Sequence, residues 1–246
     1  MRSNLNYLKN VRYLTLCYTP YRVMTVLPIQ KLNEFFSKFK TYHYKKGDVI
    51  LRGGDDPQGV YLISKGYVRA YSVSKEGEEL TLIVFKPEDF FPMPWVFNDK
   101  QNLHYFEAIT ALDLWRCPKE EFIAFLKSNP EILFELTSHI VLRFSGILQR
   151  MEYLAFGNAF QKVASILMIC AERFGEKGEN GIFIPIPLAH KDLAMFVGMT
   201  RETVSIEVKK LERKGIISYK NRFIVVKDME KLRSESLAEG DTDTTE

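Results

Sequence analysis

HKDLAMFVGMTRETVSIEVKKLERKG, residues 190–215, is the stretch whose reading decides the fold. Leu193, Ala194, Phe196 and Val197 form the apolar face of a short helix, and Gly198 permits a tight turn. Thr200 suits a helix N-cap, and Glu202 places an acid near the positive end of the helix dipole. Val204, Val208 and Leu211 recur at helical spacing and anchor a second helix. Its opposite face carries Arg201, Ser205, Lys209 and Glu212, and Gly215 ends it. Two helices joined by a short turn containing glycine are the helix-turn-helix pattern. Residues 216–219 and 222–226 then read as a two-stranded wing with Lys220 and Asn221 at its tip.

Such a second helix enters the major groove of duplex DNA with its N-terminal residues leading. Arg201 is expected to donate a bidentate pair to guanine, and Glu202 to accept from cytosine. Thr200, Ser205, Lys209, Lys191 and the wing residues Lys220 and Arg222 suit phosphate contacts. Charge supports a polyanionic partner. Between Lys191 and Arg233 basic residues outnumber acids, although the whole chain carries a net charge of only +3. Beyond Arg233 the sign reverses: Glu235, Glu239, Asp241, Asp243 and Glu246 make an acidic tail.

Working back from this element, Leu133, Thr137, Ile140, Phe144, Ile147, Met151 and Leu154 alternate steps of four and three. That is a coiled-coil seam interrupted at Thr137, and it predicts a long helix that pairs two copies of the chain. A single helix packed on its own core fits the same periodicity. Upstream, from Thr41 to Cys117, the texture is β: short runs at 49–51, 60–63, 68–72, 80–85, 106–110 and 112–116, separated by Gly- and Asp-rich turns. An antiparallel barrel or roll is expected. The fold class is therefore α+β: an N-terminal antiparallel β-roll, a long dimerisation helix and a C-terminal winged helix-turn-helix. The expected boundaries are an N-terminal extension over 1–26, the roll over 27–126, the helix over 127–156, the winged domain over 157–234 and a disordered acidic tail over 235–246. Met24 is an alternative start of translation.

The 246 residues, 46% hydrophobic and 26% charged, suit two folded domains. Cys17, Cys117 and Cys170 lie far apart and have no metal-ligand spacing, so reduced thiols in a cytoplasmic protein are expected. Neither a membrane span nor a secretory signal is expected. Phosphate loops, nucleophile elbows and paired metal ligands are missing, so no enzymatic activity, metal or cofactor is expected. His43 and His104 are isolated and read as ordinary polar residues.

Taken together, KKGDVILRGG, GVYLISKGYVRAYSV, KEGEELTLIVFKPEDFF, the long helix and TRETVS resemble the CRP/FNR family of bacterial regulators over nearly the whole chain after Val26. The resemblance implies a cyclic-nucleotide-binding-like sensor roll, and it makes Arg201 and Glu202 base-reading residues. It implies a homodimer seamed by Leu133, Ile140, Phe144, Ile147, Met151 and Leu154. The implied partners are duplex DNA, RNA polymerase and a small-molecule effector. Two departures qualify it. Ile206 stands where relatives with RETV commonly carry a second arginine, so the operator should differ and a thymine methyl becomes a suitable contact. Pro92 and Met93 stand where cyclic-nucleotide binders have Gly-Glu, and Tyr105, Phe106 and Glu107 stand near the place of their phosphate-binding arginine. Glu107 would repel a phosphate there, so cAMP and cGMP are not the expected effectors. Phe91, Trp95, Tyr105 and Phe106 are candidates to line an apolar effector pocket, though such a stripe is also what a core looks like. The competing function is a ligand-sensing roll that signals through protein contacts.

Overall fold

The computed structural model describes residues 26–237. The N-terminal extension with Met24 and Cys17, and the tail beyond Leu237, lie outside the described residues. The chain divides into two compact units, with the cut between Thr137 and Ser138.

The first unit begins with α1 (Val26–Phe36), followed by β1 (Thr41–Tyr44), β2 (Val49–Leu51), β3 (Val60–Lys65), β4 (Val68–Val73), β5 (Glu79–Phe85) and β6 (Phe90–Phe91). After a short helix α2 (Met93–Asn98) come β7 (Tyr105–Ala108), β8 (Leu112–Cys117) and α3 (Lys119–Ser128). The strands form two four-stranded antiparallel sheets in the orders β1-β8-β3-β6 and β2-β7-β4-β5. Strand alternation divides the apolar residues between two cores. Tyr61, Ile63, Leu112 and Leu114 of one sheet meet Val68, Ala70, Phe85, Phe106 and Ala108 of the other. Val60, Leu62 and Cys117 point the opposite way, onto Leu32 and Phe36 of α1 and Phe122 and Leu126 of α3. Aromatic rings knit that helical layer: Phe35 stacks on Phe125 at 4.1 Å, and Phe36 lies 5.5 Å from Phe122.

The long helix α4 (Pro130–Phe156) starts after a break at Asn129, not at residue 127. Its first turns belong to the roll's helical layer because Ile132 and Leu136 are buried there, so the compact units part inside the helix. Gly157 follows; a Cβ on it would sit 2.5 Å from the Tyr153 carbonyl, which rules out a larger residue at this close approach. Asn158 then caps α5 (Ala159–Phe174) through a reciprocal pair with Gln161, 3.0 Å each way.

The second unit continues with β9 (Glu176–Gly178) and β10 (Gly181–Ile184), which pair antiparallel as a hairpin. Next come α6 (His190–Val197), α7 (Arg201–Arg213), β11 (Ile217–Lys220), β12 (Phe223–Val226) and α8 (Met229–Ser234). The third sheet has the order β11-β12-β10-β9. The stretch expected to be a disordered tail begins too early. Ser236 is buried, its Oγ donates to the Arg233 carbonyl at 2.7 Å, and the Leu237 amide donates to Ser165 Oγ at 3.3 Å. Residues 235–237 are fixed because α8 places them against α5.

Beside this junction, Arg233 pairs with Glu172 of α5 at 2.7 Å. Burial pushes the Glu172 carboxyl up to about 7, and the nearby guanidinium only partly offsets this. The folded state therefore holds this proton more tightly than the unfolded chain does. Its contribution to stability is full below the ordinary carboxylate value near 4.5 and is lost as pH rises through about 7. Melting temperatures followed by circular dichroism should fall from about pH 5 to pH 8 more steeply in wild type than in Glu172→Gln. Equal slopes in the two proteins would dismiss this assignment.

Candidate nucleic-acid interface

α6 opens with the Asp192 carboxylate accepting from the Ala189 amide at 2.7 Å. It closes at Gly198, whose φ of +63° is a left-handed conformation that glycine adopts without strain. Thr200 follows as the N-cap of α7, its Oγ1 accepting from the Thr203 amide at 3.3 Å. Such a cap stabilises a helix by about 1 kcal/mol. Val204, Val208 and Leu211 are completely buried. Each stabilises the unit by roughly 1.5–3 kcal/mol. Burying that face leaves Arg201, Glu202, Ile206 and Lys209 exposed with Thr200, and Ser205 half-buried. Ile206 is 55% exposed, unusual for a residue that could have joined the core.

The wing is displaced by one residue from its expected place. Lys220 pairs with Phe223, so the turn is Asn221-Arg222, and Lys220 closes β11. Both turn residues have positive φ, 53° and 69°, as a two-residue hairpin matching the strand twist requires. Asparagine tolerates this conformation, and the Arg222 side chain is left exposed at the tip. Lys191 is exposed at the start of α6.

Two residues outside the expected set hold the wing against the helices. The His190 ring stacks on Tyr219 of β11 at 4.7 Å, and the Tyr219 amide donates to Glu212 of α7 at 3.0 Å. Burial lowers the His190 pKa; Arg201 and Lys209 lower it further, while Glu212 opposes them. The charged form of the imidazole is thus disfavoured beside the basic face. Its position next to Lys191 was its only signal in the sequence.

Along α4, Leu133, Ile140, Phe144, Ile147 and Met151 are exposed and Leu154 is half-buried, while Ile132, Leu136 and Tyr153 are buried. An apolar strip thus remains uncovered on the single chain. At the interruption, Thr137 Oγ1 donates to the Leu133 carbonyl at 2.8 Å.

The four aromatic candidates for an effector pocket are divided. Phe91 and Phe106 stack on each other at 4.7 Å between the two sheets, whereas Trp95 packs against the helical layer. Tyr105 lies on the other face of its sheet, stacked on Tyr71 at 5.1 Å. Glu107 shares that face. It is paired: Arg69, itself 8% exposed, reaches Glu107 at 2.8 Å and Glu79 at 2.7 Å. Arg69 faces Glu107 across β4 and β7, a pairing that needs the strand register to be seen. The segment bearing Pro92 and Met93 forms α2, tied down by Lys119, whose Nζ donates to the Trp95 carbonyl at 3.0 Å and to Asp99.

Residues 41–129 match the family model of the cyclic nucleotide-binding domain, and residues 161–235 that of the Crp-like helix-turn-helix domain. The chain is similar to the transcriptional regulator SdrP of Thermus thermophilus, 31% identical over 72% of this chain and 85% of that protein. It is 27% identical to the global nitrogen regulator of a Nostoc species, over 74% of this chain and 83% of the relative. A solved CRP/FNR-family transcriptional regulator from Thermus thermophilus superimposes with a TM-score of 0.65 at 29% identity, covering 82% of this chain and all of the other. Among the described residues, no helix is long and apolar enough to cross a membrane.

Proposed function

The chain belongs to the CRP/FNR family of transcription regulators, and from that premise we propose that it binds inverted-repeat DNA as a homodimer, reading bases through Arg201 and Glu202. The observation that carries this reading is the division of α7. Its apolar face is wholly buried, and its first turn presents an arginine and a glutamate to solvent, unobstructed. Arg201 suits the O6 and N7 edge of guanine, Glu202 the amino group of cytosine and Ile206 a thymine methyl. Thr200, Ser205, Lys209, Lys191, Lys220 and Arg222 face phosphates and set the register. The dimer closes through the strip of α4, and RNA polymerase is the partner to which a bound regulator reports.

Selection from a random duplex pool tests this function. An inverted repeat with half-sites about one helical turn apart, roughly 34 Å, is expected, with affinity falling steeply with salt. If no duplex is retained at low salt, the sensing roll must act through protein contacts instead.

The effector in this reading is a small molecule other than a cyclic nucleotide. Two features support that. α2 occupies the segment where Gly-Glu would be needed, and the half-buried Glu107 engages Arg69 in an ion pair. A cyclic phosphate needs an arginine that is free to pair with it. Calorimetry with cAMP and cGMP is expected to show no binding at micromolar concentrations; micromolar binding that alters DNA affinity would refute the assignment.

A further inference from the structure

Arg150 joins α4 to the helix-turn-helix. It lies three residues after Ile147 and one before Met151, so it flanks the apolar strip without being part of it. Its Nη2 donates to the main-chain oxygen of Phe196 at 2.6 Å, and its guanidinium carbon lies 5.9 Å from the Phe196 ring centroid. That oxygen belongs to the last turn of α6, where carbonyls lose their intrahelical partners and the helix dipole is negative. Gly198 and Met199 donate to the Ala194 carbonyl, whereas the carbonyl of Phe196 receives the guanidinium. Two residues beyond Phe196 the chain turns left-handed at Gly198, and two more bring it to Thr200, the cap of α7. Tyr153, one turn further along α4 and 2% exposed, anchors the stretch that presents Arg150.

We propose that Arg150 is a positioning residue for DNA binding: by capping the C-terminal end of α6 it fixes the turn that aims Arg201 and Glu202, and it ties that turn to the helix bearing the dimer strip. The guanidinium is suited to the task because its planar fork of donors reaches the carbonyl from beside the Phe196 ring. The inference rests on α7 being the DNA-reading helix.

The test uses the full chain with Arg150→Gln and Arg150→Lys, and two readouts. The first is amide hydrogen exchange without DNA. Arg150→Gln should raise exchange at Gly198–Arg201 about 10-fold or more and leave α5 nearly unchanged, as expected for loosening of one local turn. The second is affinity for the duplex that wild type selects from the random pool, beside a scrambled duplex. The selected duplex should lose about 10-fold or more, while the scrambled duplex, held by phosphate contacts, changes far less. Arg150→Lys, which keeps the charge and one donor, should recover part of both. Wild-type exchange at the turn together with wild-type affinity would overturn the proposal. So would a uniform rise in exchange through α5 and α7, with lysine no better than glutamine, because that marks general destabilisation. Should Arg150→Gln fail to fold, Arg150→Lys is judged by the same two readouts against wild type. Should wild type select no duplex, the DNA reading fails, and the exchange readout still decides the role of Arg150.

Discussion

Arg201→Ala should lower affinity for the selected inverted repeat by about 1–3 kcal/mol per half-site and relax discrimination at one base pair in each half. The side chain is exposed in the first turn of α7, outside the buried face of Val204, Val208 and Leu211. Its loss should therefore appear in the selected sequence and not in the melting temperature. Lys209 supplies the contrast. It sits two turns further along the same face and suits a phosphate, so Lys209→Ala should weaken binding to every duplex and reduce the salt slope by about one. Ile206→Arg should change the preferred base at its step, because a guanidinium offers donors to guanine where an isoleucine offers only apolar contact. The measurement is pool selection with wild type and the three variants. An Arg201→Ala protein that selects the wild-type repeat with undiminished discrimination at every position would remove Arg201 from the reading.

These positions were legible in the sequence because a recognition helix is a local object. Thr200, Val204, Val208 and Leu211 fix its start and its buried face through spacing alone, and the exposed residues follow by exclusion. The apolar strip of α4 is legible for the same reason. The β-roll was legible as a class from its turns, but not in detail. Which strands pair, and therefore that Arg69 meets Glu107, depends on contacts between residues 38 positions apart in sequence. α2 was hidden because Pro94 and the aromatic residues around it mimic a strand or a loop. The wing slipped by one residue because its turn takes Arg222 at positive φ, a conformation that sequence does not readily assign to arginine. Arg150 was invisible as a link: its partner is a main-chain carbonyl 46 residues away, and a carbonyl has no letter in the sequence.

Ile147→Lys should separate folding from dimerisation. On the single chain Ile147 is 48% exposed, so a lysine there has water and room, and the fold of each unit should survive. In a parallel pair of α4 helices, Ile147 of one copy faces Ile147 of the other. Two lysines would then meet in the seam, desolvated and without a counter-charge. Leaving charge unpaired in such a setting costs on the order of 3–5 kcal/mol, which would weaken dimerisation by at least about 100-fold. Glu152→Lys is the control: it introduces the same group one residue beyond Met151, on an exposed position outside the alternating seam. Sedimentation at micromolar concentration should find wild type and Glu152→Lys dimeric and Ile147→Lys monomeric, with unchanged circular dichroism. DNA binding should follow the same division. One copy carries a single α7 and reaches one half-site, so Ile147→Lys loses the affinity that comes from engaging both halves of the repeat at once. A wild-type chain that sediments as a monomer would remove the homodimer, and an Ile147→Lys chain that still dimerises would place the interface on another surface.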